Sequence, residues 1–150
     1  MIRLNDGDIV ELEYGNSAKV IKEIGSGGQG VVYLVDINGE QYALKWYDID
    51  KIHSLSAFKK NIANNIQDGS PSAKFLWPKY MTKTCADNSF GYIMDLRPEG
   101  YDSFVDILNM YKLSTDRATG KAIKQTVQFK SLYALVNSAI NIINAFRQLH

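Results

Sequence analysis

Apolar and polar positions alternate through the first third of the chain, and the period then changes. Ile9-Val10-Glu11-Leu12-Glu13-Tyr14 alternates and stops at Gly15-Asn16. Lys19-Val20-Ile21-Lys22-Glu23-Ile24 is a second strand-like run, ending in the glycine cluster Gly25 to Gly30. Val31 to Ile37 is β-branched and apolar, and Asn38-Gly39 behind it is a strong signal for a two-residue hairpin turn. The returning run is Gln41 to Tyr47. This spacing predicts an antiparallel three-stranded meander, Lys19 to Tyr47, with a glycine loop between its first two strands.

Leu55, Phe58, Ile62 and Ile66 then recur at the spacing of an amphipathic helix. Ser54 or Ser56 is the expected cap, and Asp68-Gly69 with Pro71 beyond is the expected stop. Two further strand-like runs follow, around 75–83 and 90–96, with Cys85 to Ser89 as the turn between them. After Arg97-Pro98-Glu99-Gly100 the pattern is helical. Phe104, Ile107, Leu108 and Tyr111 suggest a short helix, 114–126 reads as a polar mobile loop, and Leu132 onward is strongly periodic to the last residue. The expected class is α+β: an antiparallel five-stranded sheet with one packed helix, followed by C-terminal helices.

Composition narrows the function classes. Seventeen Lys+Arg against 16 Asp+Glu leave a net charge near +1, so no basic field supports nucleic-acid binding. Hydrophobic residues at 45% and charged residues at 22% argue for a folded chain rather than a disordered one. A single cysteine, Cys85, forms no internal disulfide, which favours a reducing compartment. The first residues lack the apolar stretch of a signal peptide, and no run is long enough for a membrane helix. A cytoplasmic protein with no nucleic-acid and no membrane partner is expected.

Gly25-Ser26-Gly27-Gly28-Gln29-Gly30 matches G-x-G-x-x-G, and its flanks decide what kind of phosphate site it is. A dinucleotide fingerprint needs a helix after the glycines, but Val31-Val32-Tyr33-Leu34-Val35 reads as a strand. A P-loop needs Gly-Lys-Ser/Thr, and Gly30 is followed by Val31. What remains is a glycine-rich hairpin whose backbone N–H groups at 26–30 can approach an anion. Val32 at its base covers a flat ring, Ala43 leaves room for one, and Lys45 supplies a mobile ammonium for phosphate oxygens.

G-x-G-x-x-G-x-V at Gly25 to Val32, with A-x-K at Ala43 to Lys45, resembles the N-terminal lobe of a protein kinase. The resemblance extends to the helix after the lysine strand, the two later strands and the helices beyond. It implies an ATP-binding lobe over 1–97, including the glycine hairpin and hinge, and the start of a second lobe over 98–150. It further implies that Met94 limits the back of the adenine pocket, that the backbone of Asp95 and Arg97 bonds the adenine edge, and that Ile24 packs on the base. ATP with Mg2+ is the implied cofactor, and the parent of this chain would phosphorylate a protein hydroxyl. The stretches Gly69-Ser70-Pro71-Ser72, Phe75-Leu76-Trp77-Pro78 and Leu96 to Tyr101 look like a bacterial branch of Ser/Thr-type kinase-like proteins.

Two features depart from that family. Its strand lysine pairs with a glutamate on the next helix, yet no Asp or Glu lies between Asp50 and Asp68. Asn61 or Asn64 is the expected replacement, with Asp48 and Asp50 as nearby acids. The catalytic and magnesium-binding runs of the family also do not occur here, so the chain is expected to be a catalytically incomplete part of a larger protein, with no metal site of its own. A pseudokinase-like nucleotide sensor and an α+β interaction module without nucleotide are the alternatives. His53 and His150 form no metal pair, Cys85 has no placed base, and the basic residues Arg117, Lys121, Lys124 and Lys130 read as a charged loop. The broad apolar surface of the terminal helix predicts a dimer or an exchanged helix.

Overall fold

Strands β3 (Gly30–Ile37) and β4 (Glu40–Tyr47) are joined by Asn38-Gly39, both with positive φ, at 55° and 89°. Positive φ at both central residues is the type I′ geometry whose twist matches that of paired strands. The Gly39 N–H donates to Asp36 Oδ1 at 3.1 Å and closes the turn. The computed structural model describes residues 3–99, 111–115, 119–126 and 129–149. The chain divides into two compact units, Met1–Arg97 and Pro98–His150.

In the first unit, β1 (Ile9–Glu11), β2 (Ser17–Gly27), β3, β4, β5 (Tyr80–Met81) and β6 (Gly91–Met94) form one antiparallel sheet of order β1-β2-β3-β4-β6-β5. Six strands replace the expected five, because Ile9 to Glu11 pairs with Ser17 to Lys19 along the edge of β2. Val10 and Leu12 thereby point into the same buried cluster as Ala18 and Val20. The run around 75–83 contributes only its last residues. Pro78 has no N–H to donate, and Trp77 is engaged elsewhere, its indole donating to Asn65 O at 2.7 Å.

Alternation along β3 separates two faces. Val31, Tyr33, Val35 and Ile37 join Leu44, Trp46 and Ile93 in the main core. The opposite face is covered at one end by α1 (Leu55–Asp68), where Phe58, Ile62 and Ile66 pack with Tyr47, Met81 and Phe90. Helix α1 starts at Ser54 as expected, but the Ser54 side chain makes no capping bond. It stops at Gly69, whose φ of 74° is available to glycine at little cost and whose N–H donates to Asn65 O at 3.1 Å.

The second unit holds a hairpin, β7 (Tyr111–Thr115) with β8 (Ala122–Thr126), and the helix α2 (Leu132–Leu149). The hairpin corrects the expected polar loop over 114–126. Every residue of β8 is exposed, so burial leaves no alternation for a sequence pattern to register. The short helix expected around Phe104 falls mostly on residues 100–110, outside those described, and Tyr111 belongs to β7. Helix α2 opens with Ser131 Oγ accepting from the Ala134 N–H at 3.1 Å, and Leu132, Tyr133, Ile143 and Phe146 on it are exposed. No helix among the described residues is long and apolar enough to cross a membrane.

One glycine in the loop is fixed by sterics. A Cβ on Gly30 would lie 2.1 Å from Trp46 O at a φ of 150°, whereas one on Gly28 would meet nothing within 4 Å. Gly30→Ala is expected to lower unfolding stability by at least about 1–3 kcal/mol, the range for a strained backbone site, and Gly28→Ala by much less. Urea unfolding of the two variants side by side checks this, and equal stabilities would refute it.

Candidate functional site

Residues paired across an antiparallel sheet share a face, so register decides which side chains meet. Gly25 pairs with Val32, Val32 with Lys45, and Lys45 with Tyr92. The adjacent row runs Leu34, Ala43, Met94. Val32, Ala43, Lys45 and Met94 are therefore neighbours on one face of three adjacent strands. It is the face opposite the Val31–Tyr33–Val35 core, and Val32, Lys45 and Met94 are only partly buried there.

The glycine segment ends this face as a tight hairpin. Gly27 pairs with Gly30 across the two-residue turn Gly28-Gln29, and the Asp48 N–H ties the tip down by donating to Gln29 O at 3.0 Å. A Cβ on Gly25, Gly27 or Gly28 would meet nothing within 4 Å, so the space beside this backbone is open. Ser26 and Gln29 are exposed. Ile24 lies at the register shift between Glu23 and Gly25 and is 46% exposed. Asp95 and Arg97 follow the end of β6 and are exposed, the Asp95 carboxylate lying 2.6 Å from the Lys79 ammonium.

The Lys45 ammonium sits 6.0 Å from the centroid of the Tyr47 ring and, among the described residues, makes no hydrogen bond or ion pair. Neither expected asparagine bonds it. Asn61 faces two adjoining open cavities, of about 280 and 310 Å³, both bordered by Tyr47 and Phe58, while Asn64 lines neither. Asp48 is 3.3 Å from Lys51. The sequence reading missed Leu34 and Tyr92, and it left Tyr47 as a packing residue. Parity was the available signal, since every second residue from Val32, from Lys45 and from Met94 shares their face.

Tyr47 is buried against Phe58 in edge-on contact at 4.9 Å and stacks on Phe90 at 5.5 Å. Burial first, and the neighbouring Tyr92 second, push its phenol well above the ordinary tyrosine range. Cys85 is exposed overall, but partial desolvation of its sulfur, and after it the nearby Asp87 carboxylate, pushes the thiol up, away from nucleophile chemistry. No group of three or more His, Cys, Asp or Glu able to hold a metal occurs among the described residues, so no step is assigned to Mg2+.

No protein-family model matches the chain. No curated protein matches it either. Among solved structures, that of vaccinia related kinase 3 is similar at a TM-score of 0.48 and 11% identity, covering 64% of this chain. The chain spans 32% of that structure's length.

The raised Tyr47 phenol carries a pH signature. Its folded pKa exceeds the unfolded value of 10.0, so the folded state keeps a proton that the unfolded state loses. The contribution is complete below about pH 10 and declines as pH rises from there toward the folded pKa. Stability measured from pH 8 to 11 should fall at the alkaline end, and less steeply in Tyr47→Phe. Identical slopes would contradict the assignment.

Proposed function

We propose that this chain binds ATP as the N-terminal lobe of a protein kinase-like protein of Ser/Thr type. The observation that carries the reading is the shared sheet face of Val32, Ala43, Lys45 and Met94, with an open glycine hairpin at its end. Val32, Leu34 and Met94 offer apolar contacts to a purine ring, and Ala43 keeps the floor between them low. Backbone N–H groups at 26–30 and the Lys45 ammonium meet the phosphates, which carry the charge the site must neutralise. Ile24 closes over the base, and backbone groups of Asp95 and Arg97 receive its polar edge.

The whole protein would transfer the γ-phosphoryl group to a protein hydroxyl, with Mg2+ ligands and a catalytic base supplied outside the described residues. A second reading has its own support: among the described residues, Lys45 has no acidic partner of the kind that fixes an ammonium for transfer. A nucleotide-sensing, non-catalytic module fits that arrangement.

Thermal unfolding with and without Mg-ATP tests nucleotide binding. Ligand at 100 times its dissociation constant adds about 2.7 kcal/mol of stability, a rise of several degrees for a unit of this size. Lys45→Met should abolish most of that rise without lowering the unliganded midpoint. An unchanged midpoint at millimolar ATP would refute the reading.

A further inference from the structure

Helix α1 presents no carboxylate to Lys45, yet it does reach the lysine through an aromatic relay. Phe58 of α1 meets the Tyr47 ring edge-on at 4.9 Å, and Phe90 stacks on that ring at 5.5 Å. The Tyr92 ring lies 5.9 Å away. Lys45, Tyr47 and Tyr92 share one face, because Tyr47 follows Lys45 by two residues on β4 and Tyr92 is its cross-strand partner on β6. The ammonium stands 6.0 Å from the Tyr47 centroid, the outer limit at which the ring quadrupole attracts a cation. Three aromatic contacts hold the ring, so the station it offers the ammonium is fixed as well.

We infer that Tyr47, braced by Phe58 of α1 and flanked by Tyr92, is a positioning residue that holds the Lys45 ammonium where a carboxylate would otherwise stand. The inference rests on the reading of Lys45 as the phosphate-orienting group. An aromatic holder differs from a carboxylate in chemistry: it leaves all three N–H donors of the ammonium for a ligand and adds no negative charge beside a phosphate. It also makes the lysine's position depend on α1, since moving Phe58 removes one of the three contacts that hold the ring.

A double-mutant cycle on ATP affinity, with Tyr47→Leu and Lys45→Met in the full chain, separates positioning from packing. Tyr47→Leu should weaken ATP binding about two- to five-fold while Lys45 is present, the fold-change equivalent of an exposed cation–π contact. It should have no effect in the Lys45→Met background, and Tyr47→Phe should retain wild-type affinity. Equal losses in both backgrounds would overturn the inference and leave nucleotide binding standing. If the Leu variant does not fold, Phe58→Leu takes its place in the cycle. A readout independent of nucleotide is the Lys45 ε-methylene resonance, expected upfield of its random-coil position through the Tyr47 ring current and moved toward it by Phe58→Leu. A random-coil position in the unsubstituted chain overturns the inference whether or not ATP binds.

Discussion

A two-residue turn sets the register on which the candidate site depends. Asn38-Gly39 leaves Ile37 opposite Glu40, and from that pair the ladder places Leu34 opposite Ala43 and Val32 opposite Lys45. Side chains alternate with period two, so a slip of one residue would carry Lys45 into the apolar core and Leu44 out of it. Burial of Leu44 and Trp46 on one side and of Tyr47 on the other makes that slip costly. Gly30 completes the constraint at the far end of the same strand pair, because only a residue without Cβ allows the approach to Trp46 O.

The two faces of the sheet divide the work. The curled side gathers Val10, Ala18, Val20, Val31, Tyr33 and Val35 into a continuous apolar interior, whose burial dominates folding. The other side is only partly closed. Helix α1 covers its Tyr47 end through Phe58 and Ile62, while Val32, Leu34, Lys45 and Met94 remain partly accessible. The proposed nucleotide reading rests on this half-covered apolar surface, with the Lys45 cation and an open glycine backbone beside it.

Much of this was legible because the physics is local. Asn38-Gly39 admits both positive φ values, Gly69 ends α1 with another, and Leu55, Phe58, Ile62 and Ile66 keep one helical face. Where the reading fell short, long-range pairing or side-chain engagement decided. Ile9 to Glu11 was legible as a strand-like run, but only its pairing along β2 makes it a sixth member of the sheet, and Trp77 leaves the strand pattern for a carbonyl at the end of α1. The hairpin of β7 and β8 escaped because its second strand buries nothing. Asn61 and Asn64 stood out as polar substitutes for an acid, while Tyr47, whose ring centroid lies 6.0 Å from the Lys45 ammonium, looked like ordinary packing.

By itself the sequence determined the meander, its turn, the α1 stripe and the candidate chemistry of the glycines with Lys45, all of which follow from backbone preference and periodicity within a few residues. Tertiary structure alone decided which of those residues meet. Lys45 and Tyr92 are paired across β4 and β6, and Phe58 reaches Tyr47 from a separate helix. Such contacts join segments far apart in the chain, and they are selected by packing, which no local pattern encodes.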